Sequence, residues 1–399
     1  MAKRVNRMPD TLHLFVLVDA LGWRYVENED FLRDYLPVRR PLKTVLGYSA
    51  GAIPTILTGR MPAETGHWNL FYYDPSGAPF RWLRYFRFVP RPVLDNCITR
   101  RLLTQMGRRM LGLGPLFDCA VSPHVLRYFN WSEKRNIYLP GGIEGARSIF
   151  DELFARGIPY RSYSYHRWTD QEILERALAD LRPPVACFYF LYLSELDGFL
   201  HHHCLDTAAV RTRLRWYADR LRAVFAAARR IDPASGLTLF SDHGMAAVRF
   251  HHDLAKEILS LGLREPEDYL AVYDSTMARF WFRTARARGA ITARLAELSC
   301  GRVLSDEELR RLGVLFPDQR YGDLIFLLNP GWMLHCDFHG SGWMPTGMHG
   351  YHPDDPDSDG VLLSDGQHVR HVASIADLFD CMLSAARLAA GAVPACHEV

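Results

Sequence analysis

The stretch SELDGFLHHHC, residues 194–204, sets an acid beside three consecutive histidines. Asp197 and His201 are four apart and fall on the same side of a helical turn. Further acids and imidazoles follow apolar runs elsewhere. Asp19 follows residues 12–18 (LHLFVLV), and Asp242 and His243 follow residues 237–240 (LTLF). His349 lies near the C-terminus in GMHGYHPDDPDSDG. Carboxylates mixed with imidazoles suit zinc, and manganese is compatible with the same set. Asp19, Asp197, Asp242, His201, His243 and His349 exceed what one tetrahedral ion needs, and they are enough for two. Paired divalent ions about 4 Å apart clamp the attacking and leaving oxygens of a phosphoryl transfer.

Such chemistry asks for a nucleophile. GYSAGAIPTILTGRMPAETGHWN, residues 47–69, offers Ser49, with Ala50 and Gly51 leaving room beside it. A serine hydroxyl is a poor nucleophile at neutral pH and is activated by metal coordination. Ser49 also reads as the start of a helix. As an N-cap it would be structural; as a nucleophile there it would gain from the helix dipole.

The elements that must hold these groups are legible. Residues 12–18, 185–193 (VACFYFLYL) and 237–240 are short, apolar and followed at once by polar residues, as buried parallel strands are. In open α/β sheets ligands bind beyond the carboxyl ends of the strands, so these ends are expected to share one site. Residues 145–156, 169–181 and 207–230 carry apolar residues at helical spacing, with Thr169 as an N-cap. The alternation predicts a doubly wound α/β fold: a large, mostly parallel sheet with helices on both faces.

Composition narrows the classes. The 399 residues are 48% hydrophobic and 23% charged, with net charge +2, so no nucleic-acid polymer is expected as a partner. Cys97, Cys119, Cys187, Cys204, Cys300, Cys336, Cys381 and Cys396 form no CxxC pair and read as reduced thiols. The opening residues read as a buried strand rather than a signal peptide, and no apolar run reaches the ~20 residues that span a bilayer. A cytoplasmic protein is expected, at most membrane-associated.

Two regions stand apart from one catalytic domain over 1–399. Residues 79–113 hold eight arginines against the single acid Asp95, with Phe80, Trp82, Tyr85, Phe86 and Phe88 interleaved. Arg81, Arg84, Arg87 and Arg91 recur at helical spacing and are expected to share one face. A solvated face is the plain reading. A cap over 76–140 that faces substrate or a membrane is the sharper one. Residues 254–338 read as a peripheral subdomain.

VLVDALG, YSAGAIPTILTGRMPAETGHWN, YLSELDGFLHHH, FSDHGM and GMHGYHP, in this order, resemble the alkaline phosphatase superfamily, most closely its type I phosphodiesterase/nucleotide pyrophosphatase branch. The resemblance implies an alkaline-phosphatase-like core. It also implies two metal sites, Asp19, Ser49, Asp242 and His243 at one and Asp197, His201 and His349 at the other. The branch's nucleophile lies ten residues before the glycine of LTG, which selects Ser49 from Gly59. Its Asp-x-x-x-His pattern selects His201 over His202 and His203. Asn69 stands where the branch has an asparagine that stabilises the phosphoryl oxygens. The chain departs from the branch in having serine for its usual threonine, and in lacking the glycine before His201. Sulfatases need C/S-x-P-x-R, which Ser49-Ala-Gly-Ala-Ile does not supply.

The implied activity is metal-dependent hydrolysis of a small-molecule, sugar-linked or lipid-linked phosphate ester through a phosphoserine. Phosphomonoesterase, phosphonate hydrolase or phosphotransferase activity stays open, as does a non-catalytic binder of a phosphorylated glycan or lipid. His352 is a rival ligand. His202, His203, His251, His252 and Cys204 have structural readings.

Overall fold

The computed structural model describes residues 12–390 apart from 87, 95, 111–122, 184 and 336–343. Its main sheet has six strands. They are β1 (His13–Val18), β2 (Val38–Leu42), β3 (Tyr160–Tyr163), β4 (Phe188–Leu193), β5 (Gly236–Phe240) and β10 (Gly360–Ser364). Their order is β2-β10-β5-β1-β4-β3. Strands β3, β4, β1 and β5 run parallel, and β10 is antiparallel to both its neighbours.

Alternation along β1 explains the layers. Leu14, Val16 and Val18 join one buried cluster with Leu191, Leu221 and Phe225. Phe15 and Leu17 join another, on the opposite face, with Ile53, Ile56 and Met382. A strand with apolar side chains on both faces must be covered on both. The helices α3 (Asp170–Asp180), α4 (Glu195–His203) and α5 (Thr207–Ile231) lie on one side. The helices α1 (Ser49–Thr58) and α6 (Leu378–Ala390) lie on the other. Thr169 accepts a bond from Glu172 N and caps α3 as expected.

Register aligns the chemistry. Val18 pairs with Leu193 across β1 and β4, and Leu17 pairs with Phe240 across β1 and β5. Asp19, Ser194 and Ser241 therefore leave the sheet at one edge.

A second sheet is wholly antiparallel. It contains β6 (Tyr269–Asp274), β7 (Met277–Phe282), β8 (Gly301–Val303) and β9 (Leu324–Leu328), in the order β6-β7-β9-β8. Its fully buried Arg279 binds Asp274 through Nε at 2.7 Å and donates to Phe71 O at 2.8 Å. Burial pushes the Asp274 carboxyl up, although Arg279 opposes it. The pair ties this sheet to the chain two residues beyond Asn69. Arg279→Ala would leave a buried carboxyl without its cation, and an expected loss of about 3–5 kcal/mol follows. Urea unfolding should show it, with the Arg279/Asp274 double replacement recovering part of the loss.

The arginine-rich segment is not one helix. Arg81–Phe86 is a 3₁₀ turn, Arg91–Leu94 a short helix, and α2 spans Cys97–Met110. Pro90 and Pro92 interrupt the helical spacing, because proline lacks the amide donor and disfavours helix in the residue before it. Arg81 and Arg84 thus share a turn that Arg91 does not continue, and Arg87 lies outside the described residues. Cys187, Cys204, Cys300 and Cys381 are buried free thiols, whereas Cys119, Cys336 and Cys396 lie outside the described residues.

Candidate active site

Two clusters form at the sheet edge. Asp19, Asp242 and His243 offer ligand atoms within 4.8 Å of one another, and so do Asp197, His201 and His349. The His243 and His349 rings stack at 3.8 Å, joining the clusters. Asp197 lies in the first turn of α4 and His201 in its last, with Nε2 3.3 Å from Asp197 Oδ2. His349 Nε2 lies 3.4 Å from Asp197 Oδ1.

Hydrogen bonding leaves lone pairs converging. His243 Nδ1 bonds Gly244 O at 2.9 Å, and His201 Nδ1 bonds Gly347 O at 2.8 Å. With Nδ1 engaged in each ring, Nε2 is the atom turned inward, toward Asp242 in one cluster and Asp197 in the other. Asp242 Oδ1 accepts the Ala20 and His243 amides, while its Oδ2 has no hydrogen bond and lies 3.2 Å from His243 Nε2. The Tyr192 hydroxyl donates to Asp19 Oδ2. Asp19 Oδ1 is left without a hydrogen bond, 3.6 Å from the same nitrogen. Buried acceptors facing one another without a proton between them are costly. A divalent cation answers all of them, so this donor set fits a metal.

Burial, with Asp242 and Asp197 adding to it, pushes the Asp19 carboxyl well above the usual range. Burial also raises Asp197, but His201, His349 and His243 outweigh it and hold this carboxyl below its ordinary value.

Ser49 opens α1 and does not cap it, since Tyr48 is the N-cap residue. Its hydroxyl is free to meet His243 Nε2, at 3.0 Å. Asn69 is buried nearby. A Cβ on Gly51 would stand 2.7 Å from Trp68 O, so only glycine lets the 68–69 backbone cross this first turn. Asn69 Nδ2 has a weak partner in Met277 Sδ at 3.5 Å, and its Oδ1 has no hydrogen bond. The amide is thus held but only lightly engaged.

Other groups position the candidate residues and escaped the sequence reading. Tyr192 is one; a tyrosine ending a buried strand needs a hydroxyl partner, and Asp19 ends the neighbouring strand. Asp170 is another. Its carboxylate accepts Ser194 N at 2.8 Å, Glu195 N at 3.1 Å and the Tyr217 hydroxyl, fixing the entry to α4. Burial pushes Asp170 up to about 6, against the hydrogen bond from Tyr217. The folded state therefore holds this proton more tightly than the unfolded chain. Stability should fall as pH rises from about 4 to about 6, by roughly 2–3 kcal/mol, with no further slope from this group above that. Asp170→Asn should flatten that part of the curve of urea-unfolding free energy against pH. Thr276, between β6 and β7, gives its amide to Tyr48 Oη at 2.9 Å and its hydroxyl to Gly350 O at 3.0 Å. Gly350 has φ 90°, which glycine alone adopts freely, and this turn presents His349.

The remaining candidates lie elsewhere. His202 is exposed, and His203 stacks on Phe199 at 4.3 Å. His352 faces Glu308 at 3.3 Å, and His252 faces Glu257 at 3.2 Å. The second ring of that pair, His251, is partly buried and lowered by burial and by His335. Cys204 is buried against Tyr25 Oη at 3.3 Å. A cleft of about 580 Å³ opens beside the Asn69 segment. Its lining mixes Lys134, Arg135 and Arg320 with Glu64, Glu144 and Asp318, beside His67 and Tyr72.

The model of the type I phosphodiesterase / nucleotide pyrophosphatase family matches residues 14–352. Among curated proteins none matches the sequence. The solved structure of murine ectonucleotide pyrophosphatase/phosphodiesterase 5 is similar, with a TM-score of 0.67 at 14% identity over 94% of this chain and 95% of that one. The human counterpart gives 0.68 at the same identity and coverage. An inactive murine form in complex with AMP gives 0.65. At such identity the likeness is one of fold. The family match covers most of the chain, and with it the protein belongs to the type I phosphodiesterase/nucleotide pyrophosphatase family of phosphoric ester hydrolases.

Proposed function

We propose that the protein is a metal-dependent phosphodiesterase that works through a phosphoserine at Ser49. One observation carries this reading: the Ser49 hydroxyl lies 3.0 Å from an imidazole that faces two buried carboxylates and stacks on the second cluster. Asp19, Asp242, His243 and Ser49 would hold one divalent ion, and Asp197, His201 and His349 the other. When bound, the ions supply Lewis acidity that favours the serine alkoxide and neutralises charge on the phosphoryl oxygens. Zinc suits the ligands, and manganese is compatible.

The chain's own groups do the rest. Ser49 Oγ forms a bond to phosphorus as the bond to the leaving oxygen breaks, and that oxygen leaves with a proton. Asn69 Nδ2 turns from the Met277 sulfur to the equatorial oxygens, where charge develops. Water then attacks the phosphoserine, the phosphorus–Oγ bond breaks and Ser49 recovers its proton. Ser49 stands in the first turn of α1, so the positive end of the helix dipole would also face the phosphate. The neighbouring cleft sets Lys134 and Arg135 against Glu64 and Glu144, with Arg320 paired to Asp318 at 2.6 Å, so Lys134 and Arg135 are its cations for a further anionic part of the substrate such as the AMP held by the murine relative carries.

Steady-state comparison of bis-p-nitrophenyl phosphate, p-nitrophenyl phosphate and a phosphonate monoester tests the class, before and after chelation and with zinc or manganese restored. The diester should have the highest kcat/KM and lose it on chelation. A preference for the monoester or the phosphonate would replace the diesterase assignment, and full metal loading without turnover would favour a binder.

A further inference from the structure

Among the described residues, six of the fourteen exposed large apolar side chains lie between residues 85 and 102: Tyr85, Phe86, Phe88, Val93, Ile98 and Leu102. Tyr85 is 70% exposed and Phe88 80%. They do not belong to a loose loop. Phe80, Leu83 and Leu103 from the same segment are buried with Val125, Phe129 and Trp131 in a core of their own. The segment has thus satisfied its packing and still presents apolar groups outward. Ile98 and Leu102 are one turn apart on α2 and share its outer face, with exposed Arg101 and Arg109 beside them.

A groove of about 530 Å³ adjoins these aromatics, lined by Arg81, Arg84, Arg127, Tyr85, Phe88 and Tyr128 with Pro75. No carboxylate among the described residues lines it. Its guanidiniums rest on neutral acceptors: Arg84 Nη2 donates to Tyr85 Oη at 2.8 Å, Arg127 Nη2 to Tyr128 Oη at 2.9 Å, and Arg81 Nη1 to Ser76 O at 3.1 Å. None of the three makes an ion pair among the described residues. Clustered cations without counter-charge, framed by exposed aromatics and aliphatics, match a surface that is anionic above and hydrocarbon beneath. Aromatics and arginines alone would also suit single-stranded nucleic acid, but exposed Val93, Ile98 and Leu102 gain nothing there.

We propose that this face docks the protein onto an anionic phospholipid bilayer. A headgroup phosphate sits among Arg81, Arg84 and Arg127, and Tyr85, Phe86 and Phe88 enter the boundary between headgroups and acyl chains. The attachment is peripheral, as no helix among the described residues is long and apolar enough to cross a membrane. The inference stands independently of the metal reading.

Co-sedimentation of the full chain tests it, with vesicles of phosphatidylcholine alone and mixed with phosphatidylglycerol. Wild type should partition onto the mixed vesicles, with a blue shift from the partly buried Trp82 beside Phe86. Each basic residue near an anionic surface is worth roughly fivefold, so Arg81→Glu/Arg84→Glu should weaken partitioning by about 25-fold or more. Phe86→Ser/Phe88→Ser should weaken it on both vesicle types. Both variants should keep the melting temperature and far-ultraviolet circular dichroism of wild type, which shows that they fold. Equal sedimentation of wild type and variants overturns the proposal. So does tighter retention on a single-stranded oligonucleotide, or a vesicle-free dimer that Phe86→Ser/Phe88→Ser dissolves.

Discussion

Replacing Ser49 with alanine is expected to lower kcat on a phosphodiester by roughly 10⁵-fold while leaving metal content and fold intact. The hydroxyl is the one group at the start of α1 that reaches His243, and it performs no capping. On the proposed mechanism its loss removes the atom that would bond to phosphorus but takes away only one of the four proposed donors, the other three being the clustered Asp19, Asp242 and His243. Asp19, Asp242 and His243 keep their convergent lone pairs, so the cation should stay. Ser49→Thr should retain much of the activity, because the hydroxyl survives. Rapid-quench labelling should trap phosphate on wild type and on the threonine variant and none on the alanine variant. A drop below tenfold in Ser49→Ala would remove Ser49 from the chemistry.

Asp242→Asn is expected to be as damaging to turnover and, unlike Ser49→Ala, to empty the first site. The carboxylate holds the Ala20 and His243 amides with Oδ1 and turns Oδ2 inward. An asparagine can keep the first task while presenting a neutral group for the second. If the ~10–16 kcal/mol of a four-ligand zinc site divides evenly among ligands, one ligand is worth about 3–4 kcal/mol, a few hundredfold in affinity. Bound metal stabilises the fold by mass action, by about 4 kcal/mol at a thousandfold excess over Kd. Chelation should therefore lower the melting temperature of wild type by several degrees and that of Asp242→Asn by distinctly less. Equal shifts would place the ion elsewhere.

The parts of this arrangement that follow from local pattern were legible in the chain itself. Residues 12–18, 185–193 and 237–240 declare buried parallel strands, and the acids that end them gather where parallel register must put them. The first two observed strands start later, at His13 and Phe188, and the third one residue earlier, at Gly236, because pairing and not hydropathy sets their ends. Ser49, Asp197 and His349 come from separate elements, and only the order of the motifs, through the family they resemble, links them in the sequence. What stays hidden depends on contacts distant in sequence. Nothing local says that Asp170 serves the amides of Ser194 and Glu195, or that Tyr192 reaches across to Asp19. The antiparallel pairing of β6, β7 and β9 joins residues 277–282 to 324–328, and short apolar runs do not specify partners. The 79–113 segment misled for a local reason: arginine spacing reads as helical, yet Pro90 and Pro92 break it.

Elemental analysis of purified wild type, His201→Ala and His202→Ala tests the two-metal reading most directly. His201 points its ring at Asp197, while its neighbour His202 is exposed. Wild type and His202→Ala should carry two divalent ions per chain, and His201→Ala should carry one. No stoichiometric metal in wild type, or a loss confined to His202→Ala, would contradict the account.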